Sequence, residues 1–111
     1  MFNNPVSVME ERANAIETMY LNGELDNLYY IFRDTEKRVN KCQAWFVDTG
    51  DMLILKSYNT IVAVYDKQSK ILFSCGRYTM TTYQHIRKFR NNYTPSMHYT
   101  TEANLELCNW F

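Results

Sequence analysis

Residues 44–75 read Ala44-Trp45-Phe46-Val47, Asp48-Thr49-Gly50-Asp51, Met52-Leu53-Ile54-Leu55, Lys56-Ser57-Tyr58-Asn59, Thr60-Ile61-Val62-Ala63-Val64-Tyr65, Asp66-Lys67-Gln68-Ser69-Lys70 and Ile71-Leu72-Phe73-Ser74-Cys75. Short bulky apolar runs alternate with polar segments of turn-forming residues, the pattern of strands joined by tight turns. Thr60 to Tyr65 is the most β-branched run in the chain, as expected of a central strand. The spacing predicts an antiparallel meander of three or four strands over residues 43–76.

Upstream the period changes. Pro5 is suited to open a helix, and Met9, Ala13, Ile16 and Tyr20 then recur at the spacing of one helical face. Asn22-Gly23 stops it, since Gly most readily takes the left-handed cap conformation. Leu25, Leu28 and Phe32 begin a second helical stripe, widened by Tyr29 and Ile31, that is expected to run to about Arg38. The short link implies an antiparallel helical hairpin over residues 1–40. Downstream, Thr81 or Thr82 is the expected N-cap of a third helix over residues 81–92. Tyr83, Ile86, Phe89 and Tyr93 form its apolar stripe, with His85, Arg87, Lys88 and Arg90 at other positions. Residues 101–111 carry Ala103, Leu107, Trp110 and Phe111 at helical spacing, while Leu105 and Leu107 also alternate like a strand, so a short C-terminal element is expected there, read as helix over strand. The expected architecture is therefore α+β, one domain spanning residues 1–111, with helices on one face of a small antiparallel sheet.

Length and composition fit that picture. The 111 residues are 46% apolar and 22% charged, ordinary values for a folded globular chain. The aromatic share is 15%, with nine Tyr. The first residues lack the basic and apolar regions of a secretory signal, and no apolar run approaches the roughly 20 residues needed to span a bilayer. A soluble cytoplasmic protein is expected. Cys42, Cys75 and Cys108 are odd in number and evenly spaced, which suits neither a disulfide framework nor a zinc site, so they read as reduced thiols.

The zero formal charge conceals a segregation. Residues 1–66 carry a net −4, residues 67–101 carry +6 with no acid, and Glu102 and Glu106 return −2. Glu10, Glu11, Glu17, Glu24 and Asp26 load the helical hairpin, while Arg77, Arg87, Lys88 and Arg90 cluster around the third helix. Two readings stay open. The basic helix pairs with the acidic hairpin inside the fold, where such surface pairs contribute little, or it faces nucleic acid or an acidic protein.

Catalytic constellations are missing. The histidines are His85 and His98, and no G-x-S-x-G or cysteine-protease context accompanies them. Neither H-x-x-x-H nor paired cysteines supply metal spacing. Glycines at 23, 50 and 76 cannot build a phosphate-cradling loop. The sequence therefore points away from an enzyme, with no cofactor and no metal.

Two motifs are more specific than composition. Ser57-Tyr58-Asn59-Thr60-Ile61-Val62-Ala63, followed by Thr81-Thr82-Tyr83-Gln84-His85-Ile86-Arg87-Lys88-Phe89, resembles a small domain common in bacteriophages and other mobile elements of Gram-positive bacteria. Its pattern is S-Y-N-T-x-V-A, a variable hairpin, then T-T-x-H-I-x-x-F, from which this chain departs by one residue, having both Tyr83 and Gln84 between Thr82 and His85. The resemblance covers residues 53–90 and leaves the acidic hairpin and the tail unmatched. That domain often has Arg before the histidine, where this chain has Gln84.

The resemblance implies a mobile-element origin rather than an activity. Taken alone, Ser57 to Thr60 are polar groups at a bend that can satisfy backbone groups. The alternative is that Tyr58, Asn59, Thr82 and His85 come together as a recognition surface. The leading expectation is an accessory protein that inhibits a bacterial defence system by stoichiometric protein binding, for example an anti-CRISPR protein blocking an effector nuclease. Glu10, Glu11, Glu17, Glu24 and Asp26 would mimic a row of phosphates, with Tyr20, Tyr29 and Tyr30 as interface anchors. The alternatives are a small nucleic-acid-binding regulator using Arg77, Arg87, Lys88 and Arg90, or a structural phage component.

Overall fold

The computed structural model describes residues 5–68, 70–74 and 80–94, with 5–10 and 13 as backbone only. Helices α1 (Pro5–Leu21) and α2 (Glu24–Ile31) form the expected hairpin, and Gly23 at its turn has φ +82°. A 3₁₀ turn (Arg33–Thr35) leads into strands β1 (Lys37–Arg38), β2 (Ala44–Asp48), β3 (Met52–Ser57), β4 (Thr60–Asp66) and β5 (Ile71–Ser74), and helix α3 spans Met80–Tyr93. Every neighbouring pair of strands is antiparallel, so the sheet is a meander in the order β1-β2-β3-β4-β5. The α+β reading of the sequence holds, and the four strands from β2 to β5 lie where the apolar runs placed them. The expected element at 101–111, together with Cys75, Arg77 and Tyr78, lies outside the described residues.

Three details differ from expectation. The second helix stops at Ile31 instead of continuing to about Arg38, and β1 occupies the end of that stretch. Thr35 accounts for the stop. Its Oγ1 donates to the Phe32 carbonyl at 2.7 Å and accepts from the Asp48 backbone N–H at 2.8 Å, so a side chain captures a carbonyl that a continuing helix would use and ties the turn to β2. Second, α3 already includes Met80, which puts Thr81 and Thr82 inside its first turn rather than at the cap. Third, the helices cover both faces of the sheet. Met52, Leu53, Ile54 and Leu55 are all buried, and a strand apolar on both sides needs cover on both.

The two sides are distinct cores. Val47, Ile54, Ile61, Val64, Ile71 and Phe73 pack with Ile16, Leu25 and Tyr29 of the hairpin. Phe46, Leu53, Leu55, Val62, Ala63, Tyr65 and Leu72 pack with Ile86 and Phe89 of α3. A register shift beside Leu55 and Lys56 pairs Lys56 with Ile61 and Leu55 with Ala63. Val62 is thereby the extra residue of a β-bulge. Val62 and Ala63 both join the α3 core, which leaves Ile61 turned toward the hairpin.

Candidate functional site

The bulge lies beside the turn that joins β3 to β4. Ser57 pairs with Thr60 across it, leaving Tyr58 and Asn59 as a two-residue loop. Tyr58 has φ +55°, the left-handed sign that such tight hairpin loops demand and that a bulky side chain adopts at a cost. Its backbone N–H donates to the Gln43 carbonyl at 2.8 Å, anchoring the turn to the start of β2.

Strand alternation points Ser57 at α3. Its Oγ lies 2.8 Å from His85 Nδ1 and 3.5 Å from Thr82 Oγ1, all three residues being buried. The Tyr58 and His85 rings are 5.6 Å apart, tilted by 47°. Burial, reinforced by the nearby Lys88 charge, holds His85 below the ordinary histidine pKa and keeps it neutral. The two motifs of the sequence therefore meet in space. Tyr58, Thr82 and His85 converge on Ser57, and Asn59 stands exposed at the turn tip. His85, assigned by periodicity to a position off the apolar stripe, instead joins the buried side of α3 with Ile86 and Phe89. A serine hydroxyl against an imidazole has the form of a nucleophile with its base. Here the hydroxyl is 3% exposed and shared with Thr82, so its chemistry is that of a latch between β3 and α3.

The acidic hairpin presents a different surface. Glu11, Glu17, Glu24 and Asp26 are exposed, and the Glu10 side chain lies outside the described residues. Tyr30 is 75% exposed and Tyr20 half-buried. Tyr29 departs from the expectation of an open anchor. It is a core residue whose hydroxyl donates to Glu36, with Lys56 Nζ 4.6 Å from its ring centroid. Burial first, and then that carboxylate, raise its pKa far above the usual tyrosine value.

On the other side of the sheet, Arg87 and Lys88 are exposed and Arg90 half-buried. Among the described residues, ion pairs join Arg12 to Asp66, Lys56 to Glu36 and Lys67 to Asp48. None links Glu11, Glu17, Glu24 or Asp26 to Arg87 or Lys88, because the sheet separates the two groups.

A cleft of about 820 Å³ that periodicity did not suggest opens beside the end of α2, lined in part by Phe32, Glu36, Lys37, Asp48 and Lys67. Burial alone would raise the Asp48 pKa, but the Lys67 ammonium at 2.7 Å and the Gly50 N–H at 2.8 Å together hold it below the ordinary value. Within the cleft wall Asp48 and Lys67 thus offset one another. Among the described residues, no group of three His, Cys, Asp or Glu side chains is placed to hold a metal ion, and no helix is long and apolar enough to cross a membrane.

A family model described as a family of unknown function (DUF8033) matches residues 8–104, so the chain belongs to that family. No curated protein and no solved structure matches it.

Proposed function

We propose that this member of the family acts by binding rather than by catalysis, with the outer side of the α1–α2 hairpin docking on a basic protein surface. The supporting observation is the separation of charge by the sheet. Glu11, Glu17, Glu24 and Asp26 stay exposed and out of reach of the exposed cations on α3, so these carboxylates are available to a partner. Tyr30 and Ile31, 75% and 65% exposed, stand on the same hairpin, and an aromatic anchor beside a charged rim is the usual make-up of a protein interface.

A surface that a row of carboxylates complements is one built for phosphates. The partner in this reading is a nucleic-acid-binding protein of a bacterial defence system, such as a CRISPR effector nuclease, held stoichiometrically by a mobile-element protein. A phage-plating assay tests it: cells carrying an active CRISPR nuclease should regain plaques when they express the protein. Cells expressing the combined Glu11→Gln, Glu17→Gln, Glu24→Gln and Asp26→Asn variant should not. Equal plating with both proteins, or no rescue by either across the nuclease types tried, contradicts the reading.

A further inference from the structure

The exposed side of the Ser57–His85 latch has a composition of its own. Tyr58, 52% exposed, stands beside exposed Asn59 and Thr60. On the adjoining helix Thr81, Gln84 and Lys88 are exposed at spacings of three and four, so they form one stripe, with Arg87 next to it. The Tyr58–His85 contact joins turn to helix, and Lys88 acts on the same imidazole. Turn tip and stripe are therefore one surface. Neither residues 58–60 nor α3 contains an acid, so these segments offer an aromatic ring, two amides, hydroxyls and two cations without a carboxylate of their own.

Tyr58 carries the argument further. An Asn, which tolerates positive φ, is the next residue in the chain, yet the strained position is given to the bulky ring. Packing on His85 leaves half of that ring in solvent. Folding alone does not call for an aromatic that is both strained and exposed, and such outliers collect at functional sites.

We propose that the Tyr58–Asn59 turn and the Thr81–Gln84–Lys88 face of α3 bind single-stranded nucleic acid. An unpaired base stacks on Tyr58 while neighbouring phosphates meet Lys88 and Arg87, the combination of stacking platform and cationic track that single strands use. A duplex hides its base faces, and an acidic peptide leaves the ring unused. The site lies across the sheet from the acidic hairpin and stands independently of that surface's role.

Fluorescence anisotropy of the full chain with labelled oligo-dT and oligo-U, over a series of NaCl concentrations, tests the proposal. Tyr58→Gly should weaken binding about tenfold or more, from the contribution of one stacked base. Its melting temperature should stay level or rise, since Gly takes positive φ without strain. Lys88→Ala should make the slope of log K against log salt shallower by about 0.7, the increment for one phosphate contact on a single strand. The proposal is overturned if the unaltered protein binds neither oligonucleotide at low salt. It is equally overturned if Tyr58→Gly and Lys88→Ala both bind like the parent, or if duplex DNA or polyglutamate binds as tightly as the single strands.

Discussion

Asp66 is 1% exposed at the end of β4, and Arg12 reaches it from α1 at 2.7 Å. The pair ties the helical hairpin to the sheet, but it is unevenly buried, the Arg12 side chain being 39% exposed. Removing Arg12 takes a charged partner away from a buried carboxylate, and weakening the pairing of a buried charge is the costly way to break such a pair. Arg12→Ala should therefore lower unfolding free energy by about 2 kcal/mol in urea titration, more than a half-exposed side chain usually contributes. His85 makes the second residue-scale prediction. Its folded pKa lies below its ordinary value of 6.5, so on acidification the unfolded chain takes up the proton first. Stability is then complete above about pH 6.5 and falls as pH drops below it. His85→Gln should flatten that part of the pH–stability profile, measured by thermal melts between pH 5 and 7.5. The sequence motif marked His85 but not its burial, and it gave no sign of the Asp66 pair. The burial of His85 depends on Ser57, 28 positions earlier, and Asp66 looked like one more turn residue because Arg12 is 54 positions away.

At the scale of elements, α3 is held by aromatic packing. Phe89 is fully buried, with ring centroids 5.2 Å from Phe46 and 6.2 Å from Tyr93, and Tyr93 is 4.9 Å from Phe46. Phe89→Ala should cost about 3–5 kcal/mol by equilibrium unfolding, the range for emptying a core phenylalanine site. Phe89 was readable from its place on an apolar stripe, as were β2 to β5 from runs bounded by turn residues. The strand β1 was not. Lys37 and Arg38 are exposed and charged, and only their pairing with Phe46 and Trp45 makes them a strand. Likewise no break in the apolar stripe ends α2 at Ile31. Thr35 bonds locally to the Phe32 carbonyl, but what fixes it there is its capture of Asp48 N–H, a contact thirteen residues distant that no helical period records. The same limit explains why one-sided packing was expected. Apolar runs announce strands, but whether a run is buried on one face or two depends on how many helices the chain later returns to it.

For the whole molecule, the cancelling charges of the sequence become two surfaces with a sheet between them. The acidic set Glu11, Glu17, Glu24 and Asp26 lies on the hairpin side, while Arg87 and Lys88 lie on the α3 side. Sequence showed the segregation in the chain but left open whether folding would bring the two halves together, since pairing across space leaves no local trace. The arrangement makes the surfaces separable by mutation, and their stability effects should be slight because exposed charges contribute little. The most direct test is calorimetric titration of the protein against the CRISPR effector nuclease proposed as its partner, with the hairpin-neutralised and Lys88→Ala variants alongside. Saturable one-to-one binding is predicted, weakened by salt and by competing nucleic acid. It should be lost in the variant with Glu11, Glu17, Glu24 and Asp26 neutralised and kept in Lys88→Ala, with melting temperatures close to the parent in both. Undiminished binding by the hairpin-neutralised variant would contradict the account.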